Sequence, residues 1–154
     1  MKKIIVTGGL GFIGSNLIEL LIKKNFFVIN IDKATYSSNF YNVKEFKKSK
    51  KYKFFKIDIK DKRISKILFK FKPAAIFNLA AETHVDRSID NPDSFIQSNI
   101  VGTYNLLECF KNYSKKNKSK FIHISTDEVY GDILFGRSNE KYPYQPSSPY
   151  AASK

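Results

Sequence analysis

The chain has 154 residues, of which 42% are hydrophobic, and its 27 Lys and Arg against 14 Asp and Glu give a formal charge of +13. This length and composition suit one globular domain with a sizeable core, and they exclude a disordered or collagen-like chain. The single Cys excludes a disulfide framework and a cysteine-based zinc site. No apolar run reaches the roughly 18 residues of a membrane span, and the apolar N-terminus lacks a cleavage site. We therefore expect a cytoplasmic protein with no membrane partner.

The positive charge comes mostly from Lys, with clusters at 44–56 and 111–120. The first cluster contains aromatic residues, a feature of some nucleic-acid surfaces. Lys shares A/T-rich codons with Ile, Asn, Phe and Tyr, which are also frequent here, so a biased base composition is a sufficient cause. We expect solvated surfaces and no nucleic-acid partner; a basic chain that binds nucleic acid through these clusters is the alternative.

Apolar strand-like runs alternate with helical patterns along the chain. The predicted elements are strands at 3–7, 27–31, 52–57, 74–79 and 120–125 and helices at 12–24, 64–71 and 94–113. Nearly continuous apolar strands are typical of a parallel sheet covered on both faces. The series predicts an α/β fold with a doubly wound parallel sheet of the Rossmann type. The polar stretch 131–149 is predicted to be a long functional loop.

A glycine-rich segment, TGGLGFIG, joins the first predicted strand to the first predicted helix. Gly8, Gly11 and Gly14 fit G-x-x-G-x-x-G, and Gly9, Gly11 and Gly14 fit G-x-G-x-x-G. Glycines allow the tight turn and let the backbone approach a pyrophosphate, which the helix N-terminus then holds. The position between strand and helix is the one that a dinucleotide-binding loop requires.

Two carboxylates follow the next predicted strands. Asp32 ends the second strand, where it can accept both hydroxyls of an adenosine ribose and would repel a 2′-phosphate. This favours NAD over NADP. Asp58 and Ile59 end the third strand, where the adenine ring would lie. For Asp58 the alternative to an adenine contact is a plain helix cap.

The segment STDEVYG leaves the carboxyl end of the fifth predicted strand, where ligands bind in open α/β sheets. Its adjacent carboxylates, Asp127 and Glu128, would repel each other if both were desolvated. Such a pair divides into one acid and one base, which suits proton transfer at neighbouring atoms.

Tyr150 and Lys154 form a Y-x-x-x-K pattern after the long loop. On a helix these two residues share a face, and a nearby ammonium stabilises a phenolate, so Tyr150 is a candidate base. Ser148 can cap this helix and Pro149 can occupy its first turn. His84 and His123 lack the spacing of metal ligands, so no metal is expected, and His123 is predicted to be a core residue.

Several stretches resemble one family, and they occur in that family's order over essentially the whole chain. They are TGGLGFIGSNL, DKATYS, the DI at 58–59, NLAAETHVDRSI, NIVGTYNLLE, STDEVYG and PSSPYAASK. On them the chain resembles the extended short-chain dehydrogenase/reductases, within them the branch that dehydrates nucleotide sugars at positions 4 and 6. STDEVYG together with HVDRSI is the most specific part.

The resemblance implies NAD as cofactor and a nucleotide sugar, dTDP-glucose, as substrate. It implies oxidation at C4, elimination of water across C5–C6, and re-reduction at C6 to a 4-keto-6-deoxy sugar. In this scheme Tyr150 takes the proton of the 4-hydroxyl, Glu128 takes the C5 proton and Asp127 protonates the departing 6-hydroxyl. The family also forms homodimers through a pair of helices.

The resemblance also assigns contacts. Thr126 would bond to the sugar 4-oxygen, Thr83 would contact the substrate, and Lys154 would hold the nicotinamide ribose. The implied cofactor contacts are Gly8, Gly11, Phe12, Ile13, Gly14, Asp32, Lys33, Thr35, Asp58, Ile59, Leu79, Ala80, Ala81, Ser98, Tyr150 and Lys154.

The chain stops at Lys154, the last residue of its own Y-x-x-x-K pattern. We expect residues 1–154 to be the N-terminal portion of the NAD-binding domain, without the later strands and the sugar-nucleotide domain. We therefore expect the isolated chain not to turn over and its dimer to be compromised. The alternatives are another NAD-dependent sugar-nucleotide epimerase or dehydratase, and a non-catalytic nucleotide-binding fragment.

Overall fold

Five parallel strands form the sheet in the order β3-β2-β1-β4-β5. The computed structural model describes all 154 residues, and they divide into two units. The first unit, called the sheet unit, contains residues 1–80 and 102–124. The second, called the helix–turn unit, contains residues 81–101 and 125–154.

The sheet unit carries the strands that the sequence predicts, with bounds shifted by one or two residues. The strands are β1 (Lys3–Thr7), β2 (Phe27–Asp32), β3 (Tyr52–Lys56), β4 (Ala75–Asn78) and β5 (Lys120–His123). Helix α1 spans Phe12–Lys23, α2 spans Arg63–Phe71, and a 3-10 turn occupies Phe40–Val43. Helix α2 ends at Lys72, which is left-handed with φ 51°, directly before Pro73, because a residue before proline disfavours the helical region.

The core consists of two apolar clusters, because successive side chains of each strand point to opposite faces of the sheet. Ile5 of β1 belongs to one cluster, which includes residues of α2 and the helix at 103–114. Its neighbours Ile4 and Val6 belong to the other cluster, which includes residues of α1 and the segment 43–46. Successive side chains of a strand point to opposite faces, so this division shows a sheet covered on both sides. The predicted doubly wound α/β fold of the Rossmann type is confirmed.

The helix–turn unit contains no strand. Its elements are α3 (Val85–Asp90), α4 (Asp93–Phe95), a π-helical segment at Ile96–Gly102 that ends in the sheet unit, a 3-10 turn at Asp127–Tyr130, and α6 (Pro149–Ala152). The predicted loop at 131–149 is confirmed up to Ser148, since α6 begins at Pro149. The N–H of Gln145 in this loop donates to the carbonyl of Val129 at 3.0 Å.

The prediction of a single helix at 94–113 is wrong in its geometry. The segment begins as α4, widens into the π-helical turns, and continues as α5 (Thr103–Ser114). In a π-helical turn the hydrogen bond joins residues i and i+5, so the turn is one residue wider than in an α-helix. The amino-acid composition of the segment does not differ, so the sequence pattern predicts a helix and does not reveal the wider turns. No helix in the structure combines the length and the hydrophobicity needed to cross a bilayer.

Candidate functional site

The glycine-rich loop lies between β1 and α1 in the sheet unit. Gly8 adopts φ 68°, and a Cβ built there would lie 2.7 Å from the backbone nitrogen of Ala80. A Cβ on Gly14 would overlap the backbone oxygen of Gly8. Gly11 begins α1 without a side-chain cap, so the first-turn N–H groups of this twelve-residue helix lack a side-chain acceptor. The loop therefore has the tight, closely packed turn and the open helix N-terminus that suit a pyrophosphate.

Asp32 is buried at the end of β2 and binds the same loop. One carboxylate oxygen accepts the N–H of Leu10 at 3.0 Å. The other accepts the N–H of Ala34 at 2.8 Å and the hydroxyl of Ser38 at 2.9 Å. A carboxylate has about four acceptor positions, so these three bonds leave capacity for a ribose hydroxyl. The sequence did not reveal that Asp32 also holds the glycine loop in place.

Thr7 and Asn78 hold the ends of β1 and β4 together. The Thr7 hydroxyl donates to Asn78 Oδ1 at 2.6 Å and accepts the N–H groups of Leu79 and Ala80, each at 3.2 Å. Asn78 Nδ2 lies 3.0 Å from Nδ1 of His123 on β5. The sequence analysis missed Thr7 and Asn78; the available signal was a polar residue at the end of each apolar strand.

The other candidate cofactor residues of this unit lie on neighbouring loops. Asp58 Oδ1 accepts the N–H of Lys60 at 2.9 Å, which is a local turn and not a helix cap. The carbonyl of Ile59 accepts from Asn105 Nδ2 at 2.6 Å. Phe12 and Ile13 begin α1 with 82% and 63% of their surface exposed, which is unusual for large apolar side chains. Lys33 and Thr35 follow β2 and are half-buried.

The candidate acid–base residues lie on the 3-10 turn of the helix–turn unit. The Thr126 hydroxyl accepts the N–H of Glu128 at 3.4 Å, which caps the turn. Asp127 and Glu128 are both exposed. The condition for their mutual repulsion, that both carboxylates are desolvated, is therefore not met in this structure.

Helix α6 carries Tyr150. Its predicted start is confirmed, since the Ser148 hydroxyl accepts the N–H of Ala151 at 3.0 Å and Pro149 is the first helical residue. Tyr150 is buried, with its ring edge-on to Phe95 at 6.4 Å between ring centres. The helix ends at Ala152, so it does not extend to Lys154 as the shared-face argument assumed.

Lys154 lies two residues beyond the end of α6. Its carbonyl accepts the hydroxyl of Ser125 at 3.2 Å, which joins the two ends of the segment 125–154. Burial lowers the pKa of the Lys154 ammonium. A partly desolvated ammonium is poorly stabilised by water, so a nearby negative charge stabilises it strongly.

Asn99 is a buried residue that the sequence analysis missed. Its Oδ1 accepts the N–H of Glu82 at 2.8 Å, and its Nδ2 donates to the carbonyl of Glu82 at 2.9 Å and to the hydroxyl of Ser153 at 2.8 Å. The Ser153 hydroxyl donates to the carbonyl of Tyr150 at 2.7 Å. Asn99 therefore fixes the C-terminal end of α6 to the segment that precedes α3.

The remaining candidates also lie in the helix–turn unit. Thr83 is exposed, Ala81 is half-buried, and Ser98 is buried within the π-helical segment. The structure therefore places the candidate residues in two groups. The sheet unit contains the glycine loop, Asp32, Leu79 and Ala80, and the helix–turn unit contains the capped turn and α6. No group of three or more His, Cys, Asp or Glu side chains could hold a metal ion.

The glycine loop and the sheet order define a nucleotide-binding protein of the Rossmann class. Comparison with known proteins places it more narrowly: residues 5–154 match the family model described as GDP-mannose 4,6 dehydratase. The chain belongs to that family. The predicted resemblance to short-chain dehydrogenase/reductases that dehydrate nucleotide sugars is confirmed.

Curated relatives are similar along the whole chain. The dTDP-glucose 4,6-dehydratase of Haemophilus influenzae is 51% identical, in an alignment that covers 100% of this chain and 48% of the relative. That of Neisseria meningitidis is 46% identical, and the alignment covers 46% of it. The chain therefore spans about half the length of the curated relatives that it matches.

Solved structures show the same fold. DesIV, a dTDP-glucose 4,6-dehydratase from Streptomyces venezuelae with NAD and TYD bound, has a TM-score of 0.92 and 38% identity, over 99% of this chain and 48% of DesIV. A UDP-glucose 4-epimerase from Thermus thermophilus, in complex with NAD, has a TM-score of 0.86 and 33% identity, over 99% of this chain and 47% of the epimerase. The fold is therefore shared by dehydratases and epimerases.

Proposed function

We propose that this chain carries the NAD-binding residues and the acid–base residues of a dTDP-glucose 4,6-dehydratase. The observation that carries the proposal is the content of the helix–turn unit, where an Asp127–Glu128 pair on a capped turn accompanies the α6 tyrosine. The family match and the names of the curated relatives support it.

The residues of the sheet unit fit NAD. The backbone at Gly8 and Gly14 leaves no room for a Cβ, as the tight turn and the close helix–strand packing of a dinucleotide-binding loop require, whereas the space beside Gly11 is open down to 3.4 Å from the nearest atom. The negative charge of Asp32 favours a ribose with free hydroxyls over a 2′-phosphate. Bound NAD supplies the hydride acceptor for C4 and the hydride donor for C6. The adenosine and pyrophosphate contacts are assigned to Gly8, Gly11, Phe12, Ile13, Gly14, Asp32, Lys33, Thr35, Asp58 and Ile59, and the others to Leu79, Ala80, Ala81, Ser98, Tyr150 and Lys154.

Tyr150 acts first, as the base that takes the proton of the sugar 4-hydroxyl while C4 is oxidised to a ketone. Its ring is held edge-on to Phe95, so the phenol oxygen has a defined position. Lys154 stabilises the phenolate by its charge and holds the nicotinamide ribose. Thr126 bonds to the 4-oxygen, and Thr83 contacts the substrate.

The carboxylates act second. The new 4-keto group acidifies the hydrogen on C5, which Glu128 removes, while Asp127 gives a proton to the departing 6-hydroxyl so that water leaves. Hydride then returns to C6 and a proton to C5, which gives the 4-keto-6-deoxy sugar. Both carboxylates are exposed in this structure, so the elimination needs a covering element that excludes water.

Turnover therefore requires more than these 154 residues. The chain spans about half of its relatives' length, and we propose that NAD binding is retained by the isolated chain while product formation is not. Calorimetric titration of the chain with NAD tests the first part. Absence of binding, with the chain shown to be folded, would refute it.

The acid–base roles are tested in a chimera that joins residues 1–154 to the remaining half of the Haemophilus influenzae relative. With dTDP-glucose and NAD, we expect a product that is lighter by one water. Glu128→Gln should abolish water loss, whereas Glu140→Gln in the exposed loop should not. An unchanged mass with inversion at C4 would instead show an epimerase, the candidate that the structural similarity to UDP-glucose 4-epimerases favours.

We also propose a homodimer of the family type. Large apolar side chains are exposed at Tyr104 and Leu107 on α5, within the sheet unit. Exposed apolar residues that recur along a helix mark interaction surfaces. The dimer of the isolated chain is expected to be compromised, so the test uses the chimera. Light scattering of the chimera with Tyr104→Glu, against Tyr36→Glu on an exposed loop tyrosine, tests whether this face of α5 carries the dimer.

A further inference from the structure

Helix α6 is too short to be stable without contacts to other parts of the helix–turn unit. It has four residues, and isolated helices shorter than about 12 residues are marginal in water. Helices also begin with backbone N–H groups that have no partner within the helix. The position of Tyr150 therefore depends on what satisfies the first turn of α6.

The first three residues of α6 carry two N–H donors, and one of these has an acceptor within the same segment. Pro149 has no N–H, and the N–H of Ala151 donates to the Ser148 hydroxyl. Ser148 is part of the same segment and moves with the helix, so it cannot fix the helix against the rest of the unit. The remaining donor is the N–H of Tyr150 itself.

Ser88 of α3 supplies the acceptor for that donor. The N–H of Tyr150 donates to the Ser88 hydroxyl oxygen at 3.1 Å, across 62 positions of sequence. The same hydroxyl donates to the carbonyl of Val85 at 2.6 Å. Because an N–H can only donate and a carbonyl can only accept, both bond directions are fixed. Ser88 has no exposed surface, so water does not replace it.

We propose that Ser88 is a positioning residue for Tyr150: its hydroxyl holds the backbone N–H of Tyr150 and sets where α6 begins. Asn99 fixes the other end of the helix through Ser153, so the two contacts together define both position and direction. The inference rests on the proposed function of Tyr150 as a base, because a small displacement of a reacting group costs a large factor in rate.

The hydrogen bond is tested first, by amide hydrogen exchange in the 154-residue chain. In the unmodified chain the amide of Tyr150 should be protected although α6 itself offers it no acceptor. Ser88→Ala should speed its exchange about tenfold or more, the effect of losing a bond to a buried donor. Amides of β1 and β2 should exchange as before.

Ser114→Ala is the matched control. Ser114 also donates its hydroxyl to the carbonyl three residues earlier, Lys111, at 3.1 Å, but it is exposed and this bond lies within its own helix. Ser114→Ala should leave the exchange rate of the Tyr150 amide unchanged. Ser88→Thr keeps a hydroxyl and should restore most of the protection. An unprotected Tyr150 amide in the unmodified chain would overturn the proposal even if Ser88→Ala fails to fold, and so would equal exchange in the Thr and Ala variants.

The consequence for catalysis is tested in the chimera described above. Ser88→Ala should lower kcat about tenfold or more and leave KM for the sugar nucleotide within about twofold, with NAD affinity unchanged. Equal losses in Ser88→Ala and Ser114→Ala would overturn a positioning role. If Tyr150→Phe keeps full activity, the proposed function of Tyr150 fails, while protection of its amide by Ser88 would still stand.

Discussion

The two units hold their candidate residues by different physical means. In the sheet unit, the glycine loop, Asp32 and Leu79 follow strands that are covered by an apolar cluster on each face. In the helix–turn unit, Thr126 and Tyr150 lie on a capped turn and a four-residue helix. Apolar burial supports the first group, and a few hydrogen bonds from buried polar side chains support the second.

This difference has consequences for mutation. Apolar burial is non-directional and is shared by many side chains, so one truncation leaves most of it in place. A buried hydrogen bond is directional, and loss of one partner leaves the other unsatisfied. We therefore expect the helix–turn unit to depend on single polar residues, and the sheet unit on the steric fit of its loop.

Gly8→Ala should have the largest effect. The residue has φ 68°, and its Cβ would meet the backbone of Ala80 at 2.7–2.8 Å. We expect the free energy of unfolding to fall by about 3 kcal/mol and NAD affinity to fall at least about 100-fold, because a main-chain clash adds to the strain of a positive φ. Urea unfolding measures the free energy of unfolding, and calorimetric titration measures the NAD affinity.

Gly136→Ala is the control for Gly8→Ala. Gly136 also has a positive φ, 80°, but a Cβ there would meet nothing within 4 Å. It should cost only about 1 kcal/mol and leave NAD affinity unchanged. Similar losses in the two variants would show that steric fit at Gly8 is not what the loop requires.

Asn99→Leu should have the next largest effect. The side chains have similar volumes, but Leu leaves the N–H and carbonyl of Glu82 without the amide that pairs them. We expect a loss of about 2–4 kcal/mol in the free energy of unfolding, at about 1–3 kcal/mol for each unsatisfied group with partial compensation. Hydrogen exchange should accelerate in α6 and the segment 81–101.

Asn117→Leu is the matched control for Asn99→Leu, because Asn117 is half-buried and makes one bond, to the carbonyl of Tyr113 at 3.1 Å. It should cost no more than about 1 kcal/mol. NAD affinity of the Asn99→Leu chain should fall much less than that of Gly8→Ala, because the proposed pyrophosphate and adenosine contacts lie in the sheet unit. A loss of NAD binding as large as that of Gly8→Ala would remove the contrast between the units.

The same contrast decides what the sequence could predict. Strands such as Phe27–Asp32 were predicted to within a residue because a parallel sheet covered on both faces requires continuous apolar runs. The start of α6 was predicted because Ser148 and Pro149 are local signals. Helix α3 was missed because its six residues are too few to show a periodicity.

The contacts that hold the helix–turn unit had no such signal. Ser88 and Tyr150 are 62 positions apart, and nothing local marks one as the partner of the other. The π-helical turns also escaped prediction, because widening a helix by one residue changes its geometry and not its composition. The roles of Asp127 and Glu128 came from the resemblance, and their exposure was not foreseen.

Asp32→Asn should have a moderate effect on cofactor choice. The amide keeps one acceptor oxygen and removes the charge, so we expect NAD affinity to fall about tenfold and the preference over NADP to shrink. Because the amide nitrogen replaces one oxygen, the N–H of either Leu10 or Ala34 loses its acceptor, which should also lower the free energy of unfolding by about 1 kcal/mol. Glu45→Gln, an exposed acid in the same unit, makes the same charge change as a control. An unchanged ratio of NAD to NADP affinity would contradict the role of Asp32.

The smallest effect is the response to alkaline pH, which has opposite signs in the two units. In the sheet unit, burial raises the pKa of the Cys109 thiol above its ordinary 9.0 and the pKa of the Tyr113 phenol above 10.0. There the native state keeps protons that the unfolded chain loses, so the free energy of unfolding falls as pH rises from the ordinary pKa through the raised one. Burial lowers the pKa of Lys154 below 10.5, so between its two pKa values the unfolded chain holds the extra proton and the sign reverses.

Urea unfolding at pH values from 8 to about 10.5 separates these contributions, each of which is limited to about 1.4 kcal/mol per pH unit. In Cys109→Ala the free energy of unfolding should fall less steeply above about pH 9, because the thiol that loses its proton in the unfolded chain is absent. Lys154→Gln should make the decline steeper, because it removes the one opposing contribution. The slopes are compared and not the absolute stabilities, since Cys109→Ala also removes buried sulfur from the core. A Lys154→Gln slope equal to that of the unmodified chain would show that this lysine is as solvated in the native state as in the unfolded one.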